Sequence, residues 1–192
     1  MTRADVFARE ADSRQRLIDV AVTLFIRHSF AGTSLQMIAD ELGFTKAAIY
    51  YHFRTREQLL LAVLQPLLQQ LRSVIETAEQ QRTPRARAES MLIGYAELAA
   101  ASRSIAAVVT TDPSVIRVVR QQPDWRKVID RPVALLAELT PGPDGVIAAT
   151  AVLTGLAGAA SGAPSDVDQE TLNRQLLDIG RRILGLRRPR VT

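Results

Sequence analysis

The sequence predicts an all-α fold, and three observations carry that prediction. Aromatic residues make up 5% of the chain, so a core must be built mostly from Leu, Ala, Val and Ile, which helices accept. Apolar residues recur at spacings of three and four along most of the 192 residues. No stretch alternates apolar and polar residues with the Val, Ile, Thr and aromatic enrichment of a strand. At 47% hydrophobic residues, the chain has enough apolar side chain for one or two compact units.

Residues 1–11 read as a polar arm, without the apolar run of a secretory signal. Asp12 or Ser13 then opens a helix whose stripe is Leu17, Val20, Ala21, Leu24 and Phe25. His28 stands near its C-terminus, where a protonated ring favours the helix dipole. The bend Phe30-Ala31-Gly32 ends it.

Two short helices follow. Thr33 or Ser34 caps the first, which turns Leu35, Ile38, Ala39 and Leu42 to one side. Gly43 suits the positive φ of a helix C-terminus. Thr45 caps the second, with Ile49 and Phe53 on its inner face. A small residue, Ala39, stands where the two helices cross. This is a helix-turn-helix pattern, whose second helix enters the DNA major groove. Its outer face offers Thr45, Lys46, Ala47, Tyr50, Tyr51 and His52: donors, one cation, flat rings and a small residue that permits close approach.

The longer string is more specific. Thr33-Ser34, Ile38-Ala39, Leu42-Gly43-Phe44, Ile49-Tyr50-Tyr51-His52-Phe53 and Arg54-Thr55-Arg56-Glu57-Gln58-Leu59 together resemble the DNA-binding domain of the tetracycline-repressor (TetR) family. Position 56 is Arg where that family most often has Lys. Side-chain chemistry and the resemblance together imply the contacts. Lys46 reaches a guanine edge or a phosphate, while Thr45 and Ala47 meet base edges. Gln36 offers its amide to a base. Tyr50, His52 and Arg56 clamp phosphates, helped by Thr33 and Ser34 through hydroxyls and helix-start amides. Tyr51 packs on sugar or base, or partly into the core.

Thr55 caps the next helix, expected to reach about Gln81 with Leu60, Leu64, Leu67, Leu68, Leu71 and Ile75 on one face. Pro66 inside it predicts a kink, either a hinge or a static bend. Thr83-Pro84 opens a helix to about Ala101, a short helix spans 105–109, and Asp112-Pro113 starts another that Pro123 stops. Asp124-Trp125 begins a helix to Leu139 with Pro132 as an interruption. Pro141-Gly142-Pro143-Asp144-Gly145 is a loop.

Residues 145–165 carry no charge. Ala, Gly, Ser and Thr dominate the run, so a buried helix is expected rather than a membrane span. Ala151, Gly155, Gly158, Ala159 and Gly162 give it small faces for close helix approach, within one chain or across a dimer. The last helix follows Asp166 or Asp168. The final two helices make the expected dimer interface through Leu153, Leu156, Leu172, Leu176, Ile179 and Ile183.

Charge agrees with this division. Residues 1–56 carry eight basic against six acidic side chains, residues 57–180 eleven against fourteen, and residues 181–192 five Arg and no acid. Basic character is confined to the two ends, including the tail Arg187-Arg188-Pro189-Arg190. There is no cysteine, which excludes disulfides and thiolate metal sites. The only histidines, His28 and His52, lie in the first third. With no nucleophile–base pair and no Gly-rich phosphate loop, neither catalysis, a metal nor a cofactor is expected.

The expected organisation is a helix-turn-helix DNA-binding domain at 1–56 and a helical ligand-binding and dimerisation domain at 57–192. The resemblance implies a cytoplasmic homodimer on double-stranded operator DNA, released by a small-molecule effector. Met91, Tyr95 and Trp125 are the expected pocket residues, since they are large, adaptable or amphipathic. A regulator without a small-molecule ligand is the alternative.

Overall fold

A computed structural model describes residues 3–186. Every described element is a helix: α1 (Arg3–Gly32), α2 (Leu35–Leu42), α3 (Lys46–His52), α4 (Arg56–Glu79), α5 (Pro84–Ala101), α6 (Arg103–Thr111), α7 (Pro113–Arg120), α8 (Pro123–Ala137), α9 (Pro143–Gly162) and α10 (Gln169–Ile183). The basic tail Arg187-Arg188-Pro189-Arg190 lies outside the described residues.

Side-chain caps set most starts. Ser34, Thr45, Thr55, Thr83, Asp112 and Asp168 each accept from a backbone amide of the helix they precede. Three expectations need correction. Helix α1 begins at Arg3 rather than at Asp12 or Ser13. Residues 3–11 hold Ala, Arg and Glu with no Gly or Pro, so nothing local stops the helix. Helix α8 continues through Pro132, whose ring is buried. Helix α9 begins at Pro143, inside the stretch expected to be a loop. As expected, α4 runs through Pro66 as one element. Pro66 is exposed, so the missing hydrogen bond sits towards water.

Two apolar cores hold the fold. One joins α4, α5, α8, α9 and α10 through Ile75, Met91, Leu92, Leu135, Leu136, Leu156 and Leu176. Glycine lets the helices cross closely there: a Cβ at Gly94 would stand 2.5 Å from Val74 Cγ1, and one at Gly180 2.5 Å from Leu92 Cδ1. Arg87–Glu138 and Arg181–Glu89 tie the same helices from the edge.

The other core joins Leu17, Phe25, Ile38, Ile49, Phe53, Leu59 and Leu60 with Val108, Val115 and Val119. It runs past residue 56 into the first turns of α4 and takes side chains from α6 and α7. The N-terminal head therefore shares its packing with the body.

Helix α9 is long and apolar enough to cross a membrane by composition. In the fold Ala149, Val152, Leu153, Leu156 and Ala160 face inward. Its other side exposes Ile147 and the glycines 155, 158 and 162, at each of which a Cβ would meet nothing within 4 Å. The expected buried helix is thus buried on one face only.

Candidate nucleic-acid interface

Caps and glycine build the head. Ser34 Oγ accepts from the Met37 amide at 3.1 Å and starts α2. Gly43 ends it at φ 66°, a left-handed conformation that costs glycine least. Phe44 then turns back half-buried, and Thr45 Oγ1 accepts from the Ala48 amide at 3.2 Å to start α3. Ile49 and Phe53 point inward, and Ala39, fully buried, lies with them in the head core. That fixes which side of α3 faces out.

The outward side carries Thr45, Lys46, Ala47, Tyr50 and Tyr51, all exposed. Tyr51 is 71% exposed, so the partial core role is excluded. Its ring meets the half-buried His52 edge-on, with centroids 5.2 Å apart. The Lys46 ammonium lies 5.8 Å from the centre of the Tyr50 ring, an arrangement that holds both side chains on one side. Gln36 is exposed at the start of α2, and its amide donates to Asp40 Oδ1 at 2.7 Å.

A concavity of about 400 Å³ lies between these helices, lined by Ser34, Leu35, Gln36, Lys46, Tyr50, Arg54, Thr55 and Arg56. Amide-rich starts of α2 and α4, a lysine and two arginines meet there. That set of donors and positive charge suits a phosphate.

Two expected DNA contacts are committed to the fold. Thr33 is 1% exposed, and its hydroxyl donates to the Ser29 carbonyl at 2.8 Å, with the Leu24 carbonyl 3.2 Å away. Arg56 Nη1 donates to the carbonyls of Phe30, Ala31 and Thr33 at 2.8–3.2 Å. Its guanidinium also covers the Phe30 ring at 4.7 Å. Arg56 is a clasp on the turn between α1 and α2 before it is a phosphate ligand. The cause is geometric: the carbonyls of the turn after the helix break converge on one guanidinium nitrogen.

Sequence reasoning passed over Arg54. It lines the concavity beside Tyr50 and Lys46 and is exposed. The available signal was a basic residue immediately after the last turn of the recognition helix. Arg14 and Arg16 of α1 also reach this domain, over the rings of Phe53 and Phe44 at 5.1 and 5.4 Å.

The expected pocket residues divide between the two cores. Met91 is fully buried in the body core. Tyr95 packs beside that core, and its hydroxyl donates to the Leu153 carbonyl at 3.1 Å. Burial pushes its pKa up to about 12. Trp125 packs against the other core. A separate open groove of about 640 Å³ runs between α4 and α5, past Ser73, Val74, Thr77, Glu89, Ile93 and Glu97.

The expected dimer residues divide. Leu153, Leu156, Leu172 and Leu176 are buried inside the protomer, because the inward stripe of each helix is used by its own core. Only Ile179 and Ile183 of that set are exposed, together with Val146 and Ile147 of α9. No group of three His, Asp or Glu suited to a metal occurs among the described residues.

Two short capped helices joined through the left-handed Gly43, the second with its polar side outward, are the helix-turn-helix arrangement of DNA-binding heads. Residues 17–63 match the family described as "Bacterial regulatory proteins, tetR family". This match places the N-terminal head, residues 17–63, in that family's DNA-binding domain. The chain is 38% identical over 66 residues to the probable acrEF/envCD operon repressor of Escherichia coli K12, across 33% of this chain and 30% of that protein. The first curated relatives are matched over less than half of their length, 18–42% for three of them. Solved structures match nearly the whole fold. A TetR-family member from Streptomyces coelicolor A3, SCO3833, superposes with TM-score 0.67 at 20% identity, over 90% of this chain and 91% of that one. AibR, in complex with isovaleryl coenzyme A and operator DNA, gives 0.62 at 17% identity over 87% and 97%.

Proposed function

We propose that this protein is a homodimeric repressor that holds a near-palindromic operator and releases it when a small molecule binds the body. The observation that carries the reading is the placement of two separate faces. Tyr50, Lys46 and Arg54 line an open, donor-rich concavity at the head, and α9 turns bare glycines and Ile147 outward at the body.

One head makes few base contacts, so two heads spaced by about 34–36 Å along the duplex multiply affinity and dictate a two-fold operator. A second copy supplies the surface that α9 lacks. The small side chains let two such helices approach closely, and Ile147, Ile179 and Ile183 provide apolar area beside them. An effector releases DNA by binding the DNA-free arrangement more tightly, and the coupling is reciprocal. The α4–α5 groove is a reasonable entrance, since α4 leads directly into the head. AibR shows that this fold accommodates both a ligand and an operator. The site of action is the cytoplasm, where the chromosome lies.

A regulator without a small-molecule ligand has one observation in its favour. Met91, one of the expected pocket residues, is fully buried among the side chains of the body core. A thermal-shift screen separates the two readings.

Fluorescence anisotropy against the chain's own upstream DNA tests the main reading, at two salt concentrations and with Tyr50→Ala alongside. Binding that prefers this DNA over random duplex, weakens with salt and drops in the variant supports it. Light scattering that finds only monomer at micromolar concentration defeats the homodimer.

A further inference from the structure

We infer that Asp40 is a positioning residue that fixes the reading edge of Gln36, so that α2 selects adenine and rejects guanine at the base pair it meets. This rests on the DNA-reading function proposed above and names the base that one of its contacts recognises.

Gln36 stands in the first turn of α2, is exposed, and lines the same concavity as Lys46, Tyr50 and Arg54. A glutamine amide has an oxygen on one side and an NH2 on the other, so a free one turns over and offers either. Asp40 removes that freedom. It lies four residues on, on the same face of the helix and roughly 6 Å further along the axis. Gln36 Nε2 donates to Asp40 Oδ1 at 2.7 Å. An ionised carboxylate only accepts, so the nitrogen must face Asp40 and Oε1 must face away from it. One amide hydrogen is used in this bond. The oxygen and the second hydrogen remain for DNA.

That remaining pair suits one purine. Adenine shows an N6 donor beside an N7 acceptor in the major groove, and one oxygen and one N–H answer both. Guanine shows two acceptors, O6 and N7, and Oε1 would meet O6 oxygen to oxygen. The O4 of thymine meets the same repulsion. Cytosine offers its N4 amino group alone, half of what the edge can use. Lys46 carries donors only and covers the opposite case from the start of α3.

Both reading helices use the same device. Lys46 is held over the ring of Tyr50, four residues on, at 5.8 Å, and Gln36 is held by Asp40, four residues on. Each reader is thus fixed before DNA arrives, which lowers the ordering cost of the contact. Asp40 is exposed and makes no ion pair with a described residue. A carboxylate left bare on a DNA-facing head repels phosphates, so its effect is on selectivity rather than on affinity.

Binding-site selection with the full chain supplies the operator. Anisotropy titrations then follow wild type, Gln36→Ala, Asp40→Ala and the double variant on that duplex, with each base pair placed in turn at every position. The position whose preference Gln36→Ala flattens is the one that Gln36 reads. Wild type should favour adenine over guanine there by about tenfold or more. Asp40→Ala should reduce that ratio at least about threefold, through gained binding to guanine, with helical content and melting temperature near wild type. A merely structural role for Asp40 would shift melting and leave the base ratio alone. In the Gln36→Ala background, Asp40→Ala should change the ratio no further, because Asp40 acts through the amide.

A wild-type ratio in Asp40→Ala, guanine preferred at that position, no position flattened by Gln36→Ala, or an equal effect of Asp40→Ala with and without Gln36 would each overturn the inference and leave the DNA-binding regulator standing. Wild-type protein that selects no sequence at all would defeat both together.

Discussion

Arg56 and Phe30 lock to each other twice: the guanidinium lies over the Phe30 ring at 4.7 Å and donates to the Phe30 carbonyl at 3.2 Å. The same nitrogen reaches the carbonyls of Ala31 and Thr33. A residue expected to hold DNA therefore first holds the head together. Arg56→Ala should lower stability by about 2 kcal/mol, the scale for hydrogen bonds to a charged donor in a half-buried site. Arg56→Lys should recover only part of this, because an ammonium does not stack on the Phe30 ring as the planar guanidinium does. Chemical denaturation followed by circular dichroism measures both. A wild-type midpoint for Arg56→Ala would refute the clasp.

Arg54 should behave as a phosphate ligand instead. It is exposed at the rim of the concavity that Tyr50 and Lys46 share. Arg54→Ala should weaken binding to specific and random duplex alike and reduce the salt slope by about 1, with folding stability unchanged. Titrations at four salt concentrations give the slope. A loss confined to the operator would assign Arg54 to base reading.

Glycines on the two sides of the body should respond with opposite signs. At Gly94 a new Cβ would stand 2.5 and 2.9 Å from the Val74 methyls, so Gly94→Ala should cost about 1–3 kcal/mol through overpacking. At Gly158 a Cβ meets nothing within 4 Å, so Gly158→Ala should stabilise an isolated protomer by up to about 1 kcal/mol. Thermal melts at low protein concentration compare the two.

On the homodimer reading proposed above, the outward face of α9 sets the association state. Ile147 is 66% exposed, so Ile147→Glu should leave the protomer folded while abolishing the dimer in light scattering. Leu172→Ala should instead destabilise the protomer by about 2–5 kcal/mol, since Leu172 is 3% exposed within its own core. A dimer that survives Ile147→Glu would move the interface elsewhere.

Two groups give the protein a pH signature. Burial opposes ionisation of Asp112, but the hydrogen bonds from the Ser114 side chain and from the Ala31, Ser114 and Phe30 amides outweigh it and hold its pKa below the ordinary value. A depressed carboxyl contributes stability above its unfolded pKa of about 4 and loses it as pH falls through the folded value. The stability gap between wild type and Asp112→Asn should therefore narrow on acidification below about pH 4. Tyr95 has the opposite sign. Its pKa of about 12 contributes stability that is complete below the unfolded value and fades as pH rises through the folded one. In a Tyr50→Phe, Tyr51→Phe variant, Tyr95 is the one tyrosine left, and no phenolate absorbance should appear before pH approaches 12.

Much of the head could be read directly from the chain. Ser34, Gly43, Thr45, Ile49 and Phe53 act through neighbours three and four residues away, and local spacing is what a sequence displays. The same holds for the caps at Thr55, Thr83 and Asp168. The long-range contacts could not be read this way. Asp112 was legible as the cap of α7, but not as the acceptor of an amide 81 residues earlier. Met91, Tyr95 and Trp125 share a chemical character, yet the fold sends the first two to the body core and Trp125 to the other.

The helical class, the helix-turn-helix and the residues on its outer face were determined by sequence alone, because each depends on periodicity and capping within a few turns. Tertiary structure decided how the rest is used. Leu153, Leu156, Leu172 and Leu176 form apolar stripes that would serve a partner copy or the protomer's own core equally well. Packing against α5 and α8 buries them, which leaves the glycines and Ile147 outside. A side chain's apolarity says that it will be buried; only the positions of the other helices determine against what.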